Sequence, residues 1–171
     1  MTAAPKPGDP GRDAYLAEGN ARQARKRVVA DALIRDDRGR LLLVNPTYKE
    51  GWDLPGGMAE ANETPLETVR RELREELGLN VHVRGLLCVD WVAPHGPWDD
   101  LLGFVFDAGD LSSERVAQLS TQDDELSEHR FFDIDEALRL LPTRQRARAE
   151  QALRALDDGL PRYLQNGAPP W

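Results

Sequence analysis

Apolar positions along this chain change period several times, and the changes mark out strands, one strongly signalled helix and a closing pair of helices. Val28 to Arg35 and Arg40 to Asn45 are apolar runs separated by Asp36-Asp37-Arg38-Gly39, the composition of a hairpin turn. Trp52-Asp53-Leu54 predicts a short strand that stops at Pro55-Gly56-Gly57. Val81 to Ala93 and Leu101 to Phe106 predict two further strands joined by the loop Pro94 to Asp100, and Glu128 to Phe132 predicts another. Ile134 to Leu141 and Arg144 to Leu156 have helical spacing, whereas Pro161 to Trp171 reads as irregular. At the other end, Met1 to Gly11 reads as a mobile leader. Arg12 to Arg27 reads as a weak helix carrying Gly19 and ending in Arg25-Lys26-Arg27, a solvated basic face. The expected organisation is a leader over 1–27, one domain over 28–160 and a tail over 161–171. Strands, a central helix and later helices in this order indicate a mixed α/β or α+β domain.

Thr64 to Leu77 is the clearest helix. Thr64 and Glu67 form a capping box, Pro65 stands at the first helical position, and Gly78 is placed to end the helix in a left-handed conformation. Leu66, Val69, Leu73 and Leu77 fall on one stripe that faces a core. Beside that stripe, offsets of three and four residues place Glu72 next to both Glu75 and Glu76. Three carboxylates so close repel one another unless a cation joins them, and Mg²⁺ or Mn²⁺ is the natural partner of such an all-oxygen cluster. The plain alternative is a charged helix face balanced by Arg70, Arg71 and Arg74.

Composition narrows the partners. A net charge of −8 argues against a nonspecific binder of nucleic-acid polymers, which needs a basic surface. It does not argue against a small phosphorylated ligand, since a metal ion reverses the field of an acidic pocket. The single cysteine, Cys88, excludes an intramolecular disulfide framework and reads as a buried structural thiol. No apolar run reaches membrane-spanning length and the N-terminus lacks a secretory hydrophobic segment, so the expectation is a cytoplasmic protein without membrane association.

The residues before the helix decide between the two readings of its carboxylates. Gly57, Glu63, Arg71, Glu72, Leu73, Glu75, Glu76, Gly78 and Leu79 match every specified position of G-x5-E-x7-R-E-U-x-E-E-x-G-U, where U is aliphatic. This segment resembles the Nudix box. Trp52 to Gly57 before it and Glu125 to Phe132 after it are also similar to that family, so the resemblance spans Val28 to about Leu141.

The resemblance implies an α/β fold, the Nudix-type α/β/α sandwich with a mixed β-sheet, and a metal-dependent hydrolase of diphosphate linkages in small nucleotide-like substrates. It implies Mg²⁺, with Mn²⁺ as a substitute, held by Glu72, Glu75, Glu76 and a carbonyl of Gly56 or Gly57. Glu72 also resembles the general base, Arg71 the arginine that orients the glutamates, and Glu63 a supporting glutamate. Glu125 resembles the acidic residue that some members supply from a later loop, although an exposed acidic loop accounts for it equally. His95 and Trp98, in the long hairpin loop, read as loop packing ahead of contacts to a base or sugar. His82 and His129 read as partly exposed strand residues. The resemblance admits a homodimer, with no residue to mark its interface. A Nudix-fold sensor that binds a nucleotide without turnover is the competing function, weakened by the intact glutamate set. An isoprenoid diphosphate isomerase lacks its expected cysteine here.

Overall fold

The computed structural model describes residues 4–122 and 124–171. Its chain order is α1 (Arg12–Ala21), β1 (Arg27–Asp36), β2 (Leu41–Pro46), β3 (Gly56–Met58), α2 (Pro65–Leu77), β4 (Gly85–Val92), β5 (Leu101–Leu111), α3 (Ser113–Val116), β6 (Leu126–Phe132), α4 (Ile134–Leu140), α5 (Thr143–Asp158) and β7 (Arg162–Gln165). The strands form one mixed sheet in the order β6-β2-β1-β5-β4-β7, with β3 paired to the first half of β1. Both β1 with β5 and β4 with β7 run parallel, and the other neighbours run antiparallel.

Both faces of the sheet are covered, which explains why β2 is apolar at successive positions instead of alternate ones. Leu42 and Val44 pack with Ala30, Ala32 and Ile34 under Val69, Leu73 and Leu77 of α2. Leu41 and Leu43, pointing the other way, pack with Leu33 and Cys88 under Ala149, Ala152 and Ala155 of α5. The expected α/β/α sandwich with a mixed sheet is the observed architecture. Cys88 is fully buried in the second layer, and burial pushes its thiol up to about 12.

Several predicted elements shift. Trp52 to Leu54 is not a strand: only Asp53 makes an isolated bridge, to Val44, and the strand lies just beyond, in the glycine pair itself. The strand predicted from Val81 begins at Gly85, where the pairing with Asp107 of β5 starts and the Arg84 N–H donates to the Asp107 carbonyl at 2.8 Å. The strand from Leu101 runs on to Leu111 along β1. The segment after Pro161 is not wholly irregular, since Arg162–Gln165 adds a parallel edge to β4. No helix among the described residues is long and apolar enough to cross a membrane.

Candidate active site

The site is built on α2, which is capped at both ends. Thr64 Oγ1 accepts from the Glu67 N–H at 3.2 Å while Glu67 Oε2 accepts from the Thr64 N–H at 2.9 Å, closing the anticipated capping box. Gly78 ends the helix at φ 64°, as its left-handed cap. With both ends fixed, the glutamates of the last two turns hold definite directions.

Arg71 is the hub. Its Nε and Nη2 donate to the two oxygens of Glu63 at 2.9 and 3.0 Å, and Nη2 also reaches the Met58 carbonyl at 3.0 Å. Its Nη1 donates to Glu72 Oε1 and to Glu75 Oε2, both at 2.9 Å. All five N–H groups of the guanidinium are engaged. This arginine holds the loop before the helix against two of the box glutamates. Glu63 also accepts from the Glu60 N–H at 2.9 Å and from the Thr68 hydroxyl at 3.0 Å. The Arg71 hydrogen bonds, followed by that backbone donor, lower the Glu63 carboxyl to about 2. Glu72 moves the opposite way: burial raises its carboxyl above the ordinary range, against the pull of Arg71, with the charges of Glu75 and Glu125 adding to the rise.

The two glycines before the helix serve close approach. At Gly56, φ is +141° and a Cβ would stand 2.3 Å from the Ala30 carbonyl oxygen, so β3 lies against β1 only without a side chain. At Gly57 a Cβ would stand 2.4 Å from Glu72 Oε1, so the carboxylate occupies the space that a side chain would fill. The Gly56 N–H donates to Glu76 Oε2 at 3.0 Å, which anchors that buried carboxylate at the same point.

Glu72, Glu76, Gly57 and Glu125 all line one cleft of about 980 Å³. Glu75 and Arg71 do not line it. The Glu75 side chain is 55% exposed on the flank of α2, where Arg71 holds it. Helical spacing placed Glu75 beside Glu72 correctly, but at about 100° per residue Glu75 and Glu76 lie on opposite sides of Glu72, and it is Glu76 that lines the cleft. Among the described residues, no three His, Cys, Asp or Glu side chains form a ready metal cage. The cleft is nonetheless lined by carboxylate residues, Glu72, Glu76 and Glu125 among them, beside the backbone of Gly56 and Gly57. This set fits Mg²⁺, which takes one or two protein carboxylates and completes its shell with water and substrate phosphate.

The cleft also holds residues to which the sequence assigned no role. Lys49 pairs with Asp53, whose second carboxylate oxygen is buried with no hydrogen-bond partner among the described residues. Asp31 on β1 is buried and bonded to Arg148 of α5 at 3.1 Å. A signal for Asp31 existed: it is a lone acid inside the apolar run Val28 to Ile34. Trp98 stands on the rim, with the Arg27 guanidinium 4.9 Å from its ring centroid. His95 folds back on its own loop, with Nδ1 3.0 Å from the Ala93 carbonyl oxygen. His129 is half-buried on β6, whereas His82 is exposed in the segment before β4.

The family model for the NUDIX domain matches residues 25–156. An ADP-ribose pyrophosphatase of Methanocaldococcus jannaschii is 34% identical over 110 residues, covering 63% of this chain and 62% of the relative. An RNA pyrophosphohydrolase of Halorhodospira halophila is 49% identical over 47 residues, covering 28% of this chain and 26% of the relative. The chain thus spans less than two thirds of the length of these curated relatives. Among solved structures, a MutT protein from Methanosarcina mazei Go1 superposes with TM-score 0.64 at 23% identity, over 80% of this chain and 99% of that one, a likeness of fold.

Proposed function

Because the chain belongs to the Nudix hydrolase family, we propose that it is a divalent-cation-dependent pyrophosphohydrolase acting on a nucleoside-diphosphate-linked substrate or a nucleoside triphosphate. The observation that carries this reading is the convergence of Glu72, Glu76 and Gly57 on one cleft, with Arg71 locking the loop and helix that present them. Glu76 and the Gly57 carbonyl are the groups that would hold Mg²⁺ or Mn²⁺, with Glu75 acting from the flank and Glu72 serving as the base or, in the alternative tested below, as a further ligand. A bound divalent cation neutralises diphosphate charge and favours water attack on phosphorus with loss of the bridging oxygen.

The chain's own groups do the rest. Glu72 lies over Gly57 at the cleft wall and takes the proton of the attacking water; its burial, which raises its proton affinity, suits a base. Arg71 prevents that carboxylate from swinging toward solvent. Lys49 places a positive charge in the cleft against the departing phosphate. The names of the relatives point to different substrates, ADP-ribose in one and RNA in another; ADP-ribose contains a phosphoanhydride, and RNA carries one only at a 5′-polyphosphate end.

The test is release of nucleoside monophosphate, phosphate or pyrophosphate from ADP-ribose, nucleotide sugars, dinucleotides, triphosphates and a 5′-triphosphorylated RNA, with Mg²⁺ and with excess chelator. The wild type is expected to cleave at least one of these only with metal. Glu76→Gln is expected to fold and to lose at least about 10²-fold in kcat. Full turnover in chelator, or a near-normal Glu76→Gln, overturns the assignment. Tight nucleotide binding without turnover of any substrate would make the protein a sensor.

A further inference from the structure

Part of the cleft is lined by one face of β1, outside the box helix. Arg27, Val29 and Asp31 share one face of β1, the face that continues to Leu33 beneath α5. At roughly 3.3 Å per residue, Arg27 to Asp31 spans about 13 Å, the length of a nucleoside. Asp31 lies opposite Gly56 in the sheet register, next to the point where Glu76 is anchored. The reacting diphosphate therefore belongs at the Asp31 end and the distal part of the substrate at the Arg27 end.

Two other elements enclose this strip. Gln145 and Arg148 are three residues apart on α5 and share a helix face, and the bond from Arg148 to Asp31 brings that face onto the cleft. Trp98 comes from the loop between β4 and β5 and is 56% exposed at the rim. Five buried side-chain polar atoms lack a hydrogen-bond partner among the described residues, and three of them belong to residues that line this one cleft: Arg27 Nε, Asp53 Oδ1 and Gln145 Oε1. Folded proteins rarely leave such atoms unsatisfied, and a ligand that completes them is the economical explanation.

We propose that this strip is a nucleobase subsite selecting a base with an exocyclic amino group. The base lies on Val29 with Trp98 against its edge or face, the amino N–H donates to Gln145 Oε1, and the neighbouring ring acceptor accepts a hydrogen bond from the Arg27 Nε–H. Adenine, cytosine and guanine carry such an amino group; hypoxanthine and uracil do not. The inference rests on the cleft being a nucleotide site and adds the part of the nucleotide that is selected.

Nucleoside monophosphates test it without hydrolysis, because they have no phosphoanhydride to cleave. Tryptophan fluorescence of the full chain is titrated with AMP and IMP, CMP and UMP, and GMP, each to millimolar concentration. AMP is expected to bind about tenfold or more tighter than IMP, and CMP similarly tighter than UMP, as for loss of one donor facing a buried acceptor. The position of GMP shows whether an amino group at the other end of the purine edge is also read. Gln145→Met keeps the length, removes the acceptor and is expected to erase the difference within each pair. Trp98→Leu is expected to weaken all five and reduce the quench. Equal binding within each pair, a preference that survives in Gln145→Met, or no binding of any of the five overturns the subsite. Selective binding without turnover of any diphosphate would leave the subsite standing and sink the hydrolytic reading, whereas turnover with no amino preference does the reverse.

Discussion

Replacing Arg148 with methionine is the sharpest test of how the cleft floor is supported. The Arg148 side chain is 7% exposed, and its Nε donates to Asp90 Oδ2 at 3.2 Å while Nη1 donates to Asp31 Oδ2 at 3.1 Å. Asp90 is fully buried and its other oxygen accepts from the Gly167 N–H at 3.0 Å. One guanidinium thus ties α5 to β1 and β4, and through Asp90 to the turn after β7. Gly103 on β5 makes room for it, since a Cβ there would lie 2.7 Å from the guanidinium carbon. Methionine fills the stem but strands two buried carboxylates. Removing one partner of a buried ion pair costs about 3–5 kcal/mol. At about 2–4 °C per kcal/mol for a chain of this size, Tm should fall by roughly 6–20 °C.

The pH dependence identifies the cause. Burial drives Asp31 up to about 6 from its ordinary 3.8, with Arg148 opposing the rise and Asp53 adding to it. A carboxylate raised on folding favours the folded state most below its unfolded value and loses that contribution as pH climbs through the folded one. Without Arg148 the rise is larger, so the deficit of the variant should be greatest near pH 8 and shrink toward pH 5. Urea unfolding of both proteins at the two pH values measures it. Arg148→Met combined with Asp31→Asn and Asp90→Asn should recover most of the loss, because no charge is then stranded. A deficit under about 1 kcal/mol at pH 8, or one that grows on acidification, refutes the account.

Three other outcomes are expected. Gly57→Ala should fold within about 1 kcal/mol of wild type yet lose at least about tenfold in kcat, because its Cβ displaces only the flexible end of Glu72, whereas Gly56→Ala should fail in the melt, because its Cβ meets the β1 backbone. Glu72→Gln should lower kcat by roughly 10²-fold and Glu125→Gln by less; if Glu125→Gln abolishes turnover with Mg²⁺ affinity intact while Glu72→Gln mainly weakens Mg²⁺ binding, the later loop supplies the base. Cys88 should resist iodoacetamide in the native protein at pH 8 and react promptly in urea, and rapid native alkylation would contradict its burial.

What could be read from the chain follows the distance over which each feature is determined. The capping box, Gly78 and the stripe of α2 are set within one helix and were legible in detail. The hairpin at Asp36 to Gly39 is equally local: Asp36 Oδ1 accepts from the N–H groups of Arg38 and Arg40 at 3.0 and 2.8 Å. By contrast β3 is Gly-Gly-Met, with no intrinsic strand preference, and exists because its missing side chains let it lie on β1. The strand β7 is four residues long and pairs with Cys88 to Trp91, far back in the chain, so nothing in its own neighbourhood announces it.

The site divides along the same line, and for a chemical reason. Groups that surround a diphosphate must keep fixed mutual distances, which one capped helix and one five-bonded arginine provide from residues 57 to 79. Groups that recognise the rest of a substrate need only face the same space, and in the proposed subsite they come from β1, from the loop after β2, from the loop before β5 and from α5. No period or spacing links Arg27, Asp53, Trp98 and Gln145, so only the folded chain brings them to one cleft. The separation is also mechanical. Arg71 has all its donors committed within the box and its preceding loop, so Trp98 or Gln145 can change without loosening the clamp on Glu72. A fold arranged this way can alter what it selects while keeping how it cleaves. Gln145→Met should accordingly change the ratio of kcat/KM between amino-bearing and amino-lacking substrates while leaving kcat on the amino-lacking ones within about twofold. A loss of kcat on both classes alike would show that α5 supports the reacting end as well.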